Sequence, residues 1–212
     1  MLRKNRAMVC WLLMAAMAVS PSLIYAQQPG ETAETPTTTV KPDVAYVTPD
    51  AAFGAVAYPR RVLTAPEMVM LPVEVFSAAG KQELGLDPLD VEQVLVVAEP
   101  PGPGSPPGLG VVVRFSRPYQ LDGLLPEVAS ETVEGQLDGR PYRQAKAPMM
   151  PSIFMPDAQT LIVATDGMLQ KMVANRAEPQ EGTISKALGR ADASQDVTAF
   201  LWVVPLRPLI NA

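Results

Sequence analysis

The chain has 212 residues, 17 of them basic and 22 acidic, with a net charge of −5, no histidine and one cysteine. The missing histidine excludes Ser-His-Asp and Cys-His catalysis and histidine-ligated metals; a lone cysteine excludes iron–sulfur clusters, zinc ribbons and an intramolecular disulfide. Neither GxxxxGK[ST] nor GxGxxG occurs, and the acidic balance repels nucleic acid phosphates.

The N-terminus reads as a secretory signal peptide over residues 1–26. "MLRKNR" supplies three positive charges, "AMVCWLLMAAMAV" is the apolar stretch, and "SPSLIYA" ends in a small residue ahead of "QQPGE". Cleavage is expected after Ala26, although Ile24 at the −3 position is bulky. The rival is an uncleaved N-terminal anchor, since residues 7–26 just reach across an apolar core of about 30 Å. Pro21, Ser20 and Ser22 interrupt that span. Cys10 precedes most of the apolar run and is no lipobox cysteine. Export to the periplasm or beyond is therefore expected, with 14 basic and 22 acidic residues remaining, a net charge of −8. That leaves about 185 residues without a disulfide, enough to build a hydrophobic core.

Residues 27–42, "QQPGETAETPTTTVKP", bury too little apolar surface to offset their ordering entropy and read as a disordered Pro/Thr-rich spacer. One α+β domain is expected over 43–212. "DAAFGAVAYP" (50–59) reads as its first strand. "TAPE" (64–67) matches a capping box, ahead of a helical stripe of Met68, Leu71, Val75, Phe76 and Ala79 expected to face the core. Pro72 should kink or restart this helix, and Gly80 or Gly85 should end it.

Val94–Ala98 and Leu109–Ser116 are short apolar runs flanking "EPPGPGSPPGLG" (99–110). Neither side has a self-sufficient core, so the Pro/Gly stretch predicts a long hairpin loop rather than a domain boundary. A short helix is expected over 121–129. Asp138-Gly139 marks a tight hairpin, and Pro156-Asp157 is expected to turn a second. Asp166 should cap a helix over 167–176 with Leu169, Met172 and Val173 on one face, and a further helix is expected near 183–188. The strand "DVTAFLWVVPL" (196–206) is expected to be interior, with Phe200, Trp202 and Val204 on one covered face. The chain stops soon after it, so the strand either completes the sheet or the chain is one module of something longer. The expected architecture is a mainly antiparallel sheet of about five to seven strands with short helices packed on one face.

Several groupings carry potential chemistry. Asp87, Asp90 and Glu92 in "DPLDVE" are a conceivable calcium set without the glycine and twelfth-position glutamate of an EF-hand, and read better as a capped turn. Asp157 and Asp166 are the candidate carboxylate pair for glycan hydrolysis, though a turn and an N-cap account for them equally well. Ser185-Lys186 are sequence neighbours and do not face each other on a helix. "YPRR" (58–61) and "RFSRPY" (114–119) offer arginines and aromatics for a binding edge. Glu99 and Glu134 are the remaining carboxylates whose position relative to a cleft would matter.

The order "GLDPLDVEQVLVV", a strand ending "VRF", "PDAQTLIVATDGMLQKMV" and "VVPLRPL" resembles a family of uncharacterised exported proteins of planctomycete-type bacteria. The resemblance spans about Pro49 to Pro208. It implies export and an α+β fold, and assigns no active site. The expected function is an extracytoplasmic interaction or structural module without catalytic activity, its partner a protein or cell-envelope component. The alternative is a carboxylate-based hydrolase of a cell-envelope glycan. No catalytic, cofactor-binding or metal-ligating residue is assigned.

Overall fold

The computed structural model of the protein describes residues 41–70, 72–102, 106–120, 130–147 and 150–207. The expected signal peptide, the spacer up to residue 40 and the helix expected at 121–129 lie outside them. The described residues form an α+β fold around one antiparallel sheet of eight strands, one more than the upper end of the sequence-based range. The strands are β1 (Phe53–Ala57), β2 (Val91–Glu99), β3 (Gly108–Phe115), β4 (Thr132–Leu137), β5 (Arg140–Ala145), β6 (Pro151–Asp157), β7 (Thr160–Thr165) and β8 (Val197–Leu201). Their spatial order is β4-β5-β6-β7-β3-β2-β1-β8. The helices are α1 (Pro59–Thr64), α2 (Val73–Leu84), α3 (Asp166–Ala177) and α4 (Thr183–Gly189).

One cross-strand row holds this sheet together. Register places Gly135, Tyr142, Phe154, Ile162, Val112, Leu95, Val56 and Thr198 opposite one another across all eight strands. The six from Tyr142 to Val56 are buried, on the face that α3 and α4 cover with Met168, Leu169, Met172, Ile184 and Leu188. Directly opposed apolar pairs are the unit of sheet stabilisation, so this row links distant strands into one packed surface. Two glycines let the helices lie close. A Cβ at Gly54 would sit 2.4 Å from Ile184 Cγ2, and one at Gly110 would sit 2.3 Å from Met172 Sδ. Alternate residues Ala55, Val96, Val111, Val113, Ile153, Leu161 and Val163 form a second apolar cluster on the other face, with Leu86, Val91 and Phe115.

The hairpin readings hold. Asp138 and Gly139 both have positive φ (52° and 71°), as a two-residue turn joining right-twisted strands requires. Glu99 pairs with Gly108, so the Pro/Gly stretch connects neighbouring strands of one sheet. The second hairpin turns two residues later than expected: β6 continues through Pro156 beyond a register shift, and Asp157 Oδ1 accepts the Gln159 N–H at 2.8 Å to close the turn.

Three expectations are corrected. Thr64 is no cap: it lies in the last turn of α1, and its hydroxyl donates to the Arg60 carbonyl. The stripe assigned to the core is not buried: Val75 is 59 % exposed, Ala79 is exposed, Met68 and Phe76 are half-buried, and Leu71 lies outside the described residues. Helix α2, restarted after Pro72 and ended by Gly85 (φ 69°), docks on the Pro88–Asp90 turn and its Asp87 cap through its opposite face. Gly80 touches Pro88, while Ser77 and Lys81 bond Asp87. The Asp87 carboxylate and the Pro88 ring take up the polar and small face of the helix, so Val75 and Ala79 point outward. Finally, β8 is an edge strand, not an interior one. Phe200 and Trp202 pack against the core beneath the helices, but Val197, Ala199 and Leu201 are exposed and Val204 lies in a separate helical turn.

Candidate functional site

The sequence-predicted constellations are separated or already satisfied. Asp157 and Asp166 stand at opposite ends of the β6–β7 hairpin, with Asp157 opposite Thr160 and Pro151 opposite Thr165. The five steps of β7 between them amount to about 17 Å at roughly 3.4 Å per residue, well beyond the spacing of a glycosidase pair. Asp166 is the first residue of α3 rather than its N-cap, which is Thr165. Its carboxylate accepts from Ser152 Oγ at 3.0 Å and Gln144 Nε2 at 3.3 Å, and its charge suits a helix N-terminus. Ser185 is buried and exchanges hydrogen bonds with the Gly182 backbone, while exposed Lys186 meets Glu181 at 3.6 Å.

Asp87, Asp90 and Glu92 do not form a cation cage. Asp87 accepts from Leu89 N–H (3.0 Å), Ser77 Oγ (2.9 Å) and Lys81 Nζ (2.8 Å), and Asp90 pairs with Arg117. Among the described residues no group of three or more acidic, histidine or cysteine side chains is placed to hold a metal. Burial pushes the Asp87 carboxyl up, but the bonds from Lys81, Leu89 and Ser77 outweigh it and leave it below the usual carboxylate value. A lowered pKa in the folded state stabilises the fold above the unfolded pKa, and that stabilisation disappears as pH falls through the folded value. Asp87→Asn is therefore expected to cost about 1–3 kcal/mol at neutral pH, with the gap to wild type closing in acid. Urea midpoints across pH 2–7 check this; a gap independent of pH contradicts it.

Of the motif arginines, Arg61 and Arg117 are engaged within the fold, while Arg60 and Arg114 are exposed. Arg61 lies over the Tyr58 ring, 4.7 Å from its centroid, and reaches Asp196 (3.0 Å) and the Ala193 carbonyl (2.8 Å), tying α1 to the approach to β8. Phe115 and Tyr119 stack with centroids 4.6 Å apart, on the second-face cluster. Glu134 pairs with Arg143 at 3.2 Å on the β4–β5 hairpin.

Two features are left open. The first is the outer edge of β8. Tyr58 N–H donates to the Asp196 carbonyl at 2.9 Å and Trp202 N–H to the Ala52 carbonyl at 2.7 Å, so the even-numbered residues bond inward to β1. By antiparallel alternation the N–H and C=O groups of Val197, Ala199 and Leu201 point away from the sheet. No described strand pairs with them. Their side chains add an uncharged strip, with Val197 42 % and Leu201 60 % exposed.

The second is a cleft of about 250 Å³ whose lining includes Thr48, Asp50, Glu99, Lys171, Asn175 and Glu178. Glu99 closes β2 on the helix-covered face, in period-two register with Leu95 and Val97, and is buried against α3. Lys171 Nζ donates to its Oε2 at 2.5 Å. Asn175 reaches across from α3 to the Ala45 and Val47 carbonyls at 2.8 and 3.0 Å, fixing the segment that carries Thr48. Gly182 abuts the same turn, since a Cβ there would meet the Pro49 carbonyl oxygen at 2.4 Å. The sequence marks Glu99 as a carboxylate to place relative to a cleft but puts it first in the Pro/Gly loop, whereas it is the last residue of β2. Thr48, Lys171 and Asn175 were missed, although an asparagine three residues after Met172 on the core stripe of α3 was a readable signal.

No protein-family model matches the chain, and no curated protein does. Solved structures similar to it include crystal form I of TP0453, at 10 % identity and a TM-score of 0.47 over 76 % of this chain and 63 % of that one. Crystal form III of TP0453 is similar at 9 % identity and a TM-score of 0.47, over 74 % and 62 %. The chain thus spans less than two thirds of the length of that protein.

Proposed function

We propose that the protein is an extracytoplasmic, non-enzymatic interaction module that recruits an extended segment of another protein to the outer edge of β8. In this reading residues 1–26 direct export, 27–42 form a tether, and the remainder is one α+β domain. The carrying observation is an edge that no described strand covers. Proteins ordinarily blunt edge strands with charge, proline or a bulge, yet Val197–Leu201 contains no charge and no proline and pairs with β1 in unbroken register. An added strand would satisfy the outward backbone groups and cover Val197 and Leu201. A second copy is the weaker occupant, because two chains of net charge −8 repel one another.

A photo-crosslinking residue at Leu201, introduced into cells producing the protein, is expected to yield one discrete adduct. Ala199→Pro should abolish it without unfolding the sheet, since the Ala199 N–H points outward. The same crosslinker at Val133, on the opposite edge strand, is the control. Equal labelling from both positions, or an adduct of twice the chain mass, overturns the proposed partner. N-terminal sequencing tests the export arm: a mature start at Gln27 supports it, and an intact Met1 in the cytoplasm contradicts it.

A further inference from the structure

The cleft beside α3 holds an unfinished polar arrangement that the β8 edge does not use. Glu99 is 8 % exposed and Thr48 2 % exposed. Lys171 satisfies one oxygen of Glu99, but Glu99 Oε1 and Thr48 Oγ1 are buried without a hydrogen-bond partner among the described residues. Buried polar atoms in folded proteins are almost always paired, and both orphans belong to residues that line one cleft, so they mark the place of a missing group.

We infer that this cleft binds an organic ammonium group, with Glu99 Oε1 and Thr48 Oγ1 as its acceptors. A carboxylate oxygen only accepts, so the missing group must donate. Three carboxylates (Asp50, Glu99, Glu178) line the cleft against a single Lys171, which disfavours an anion. They are not clustered as metal ligands. Among the described residues no aromatic ring lines the cleft to stack on a sugar, and its size falls below that of pockets for drug-sized molecules. What fits is the head of one cationic group. Lys171 Nζ already shows that an ammonium is compatible with the carboxylate, and a second ammonium completes the other oxygen. Its source is either a free polyamine or a lysine side chain of a peptide.

The test is NMR titration of the purified protein with putrescine, with Nα-acetyl-lysinamide, and with tetramethylammonium at matched ionic strength. Tetramethylammonium carries the charge but donates no hydrogen bond. Saturable shifts confined to Thr48, Glu99, Lys171 and Asn175 are expected with the first two probes and not with the third. Tighter putrescine binding identifies the free polyamine as the source; tighter lysinamide binding identifies a protein lysine. Glu99→Gln should weaken binding about tenfold, as loss of one charge-assisted bond does. Thr48→Val, which keeps the side-chain shape, supplies the same readout if Glu99→Gln does not fold. Lys171→Met should strengthen binding, because it removes the competing ammonium. Equal shifts with tetramethylammonium, or no saturable shift with any probe, would show that the orphaned atoms are bridged by an ordered water only, and would overturn the inference. Neither result bears on the β8 edge.

Discussion

Phe154→Ala is expected to lower the free energy of unfolding by about 3–5 kcal/mol, the range for emptying a large aromatic core site. Phe154 is 1 % exposed and sits in the middle of the cross-strand row, directly opposite Tyr142 on β5 and Ile162 on β7. Met168, Leu169 and Met172 of α3 belong to the same cluster. The neighbours are held by their own strands and by α3, so the site cannot collapse fully and a cavity remains. Against a typical stability of about 5–15 kcal/mol, the loss should move the urea midpoint far down while leaving the slope unchanged. Val133→Ala, at a 44 % exposed position on edge strand β4, should change stability by less than about 0.5 kcal/mol. The same experiment tests domain organisation. Trp202 follows β8, at the other end of the sheet from β4–β6, so its fluorescence should report the same transition as far-UV circular dichroism. Two separate transitions would mean that the Pro/Gly stretch divides independent units; an unchanged midpoint would mean that the row does not carry the core.

What could be read from the residues was whatever rests on local geometry. Asp138-Gly139 announces its turn because two positive φ angles admit few residue types. Leu169 and Met172 announce α3 because their spacing matches a helical face packed on a sheet. The Val-rich runs of β2 and β3 announce strands buried on both faces, and that is where they sit. Burial itself was less legible, because periodicity identifies an apolar face without saying what stands opposite. Val75 and Ala79 share a stripe, but α2 docks on the Asp87 cap and the Pro88–Asp90 turn through Ser77, Gly80 and Lys81. Phe200, Leu201, Trp202 and Val203 read as an interior run, yet β8 pairs on one side and is covered on one face. The carboxylates behaved similarly. Asp157 and Asp166 look close in sequence, but a hairpin puts its two ends a strand length apart. Thr48 and Lys171 meet the cleft through contacts between segments more than a hundred residues apart, which no local pattern encodes.

Asn175→Ala should be the most damaging polar substitution, costing about 2–4 kcal/mol from three broken hydrogen bonds, one buried and two part-buried. Asn175 is 7 % exposed on α3. Its Nδ2 donates to the Ala45 and Val47 carbonyls, and its Oδ1 accepts the Gln180 N–H at 3.1 Å. Alanine would leave two carbonyls and one N–H without partners, and the buried Val47 carbonyl, which water reaches least, retains most of its desolvation cost. Asn175→Asp should do no better. Aspartate keeps the acceptor for Gln180 but supplies no donor, and it turns a negative charge toward two carbonyl oxygens. The damage should also have a place. Ala51 N–H bonds the Thr48 carbonyl and Ala52 N–H bonds Ala98, so both depend on the segment that Asn175 holds against α3. Hydrogen exchange should therefore accelerate at Ala51 and Ala52 by more than the global loss of stability accounts for. Val112 and Val163, in the middle of the sheet, should slow or quicken only with global unfolding. Uniform acceleration at all four amides would make Asn175 an ordinary core residue. An unchanged midpoint with unchanged exchange would remove it from the architecture of the cleft altogether.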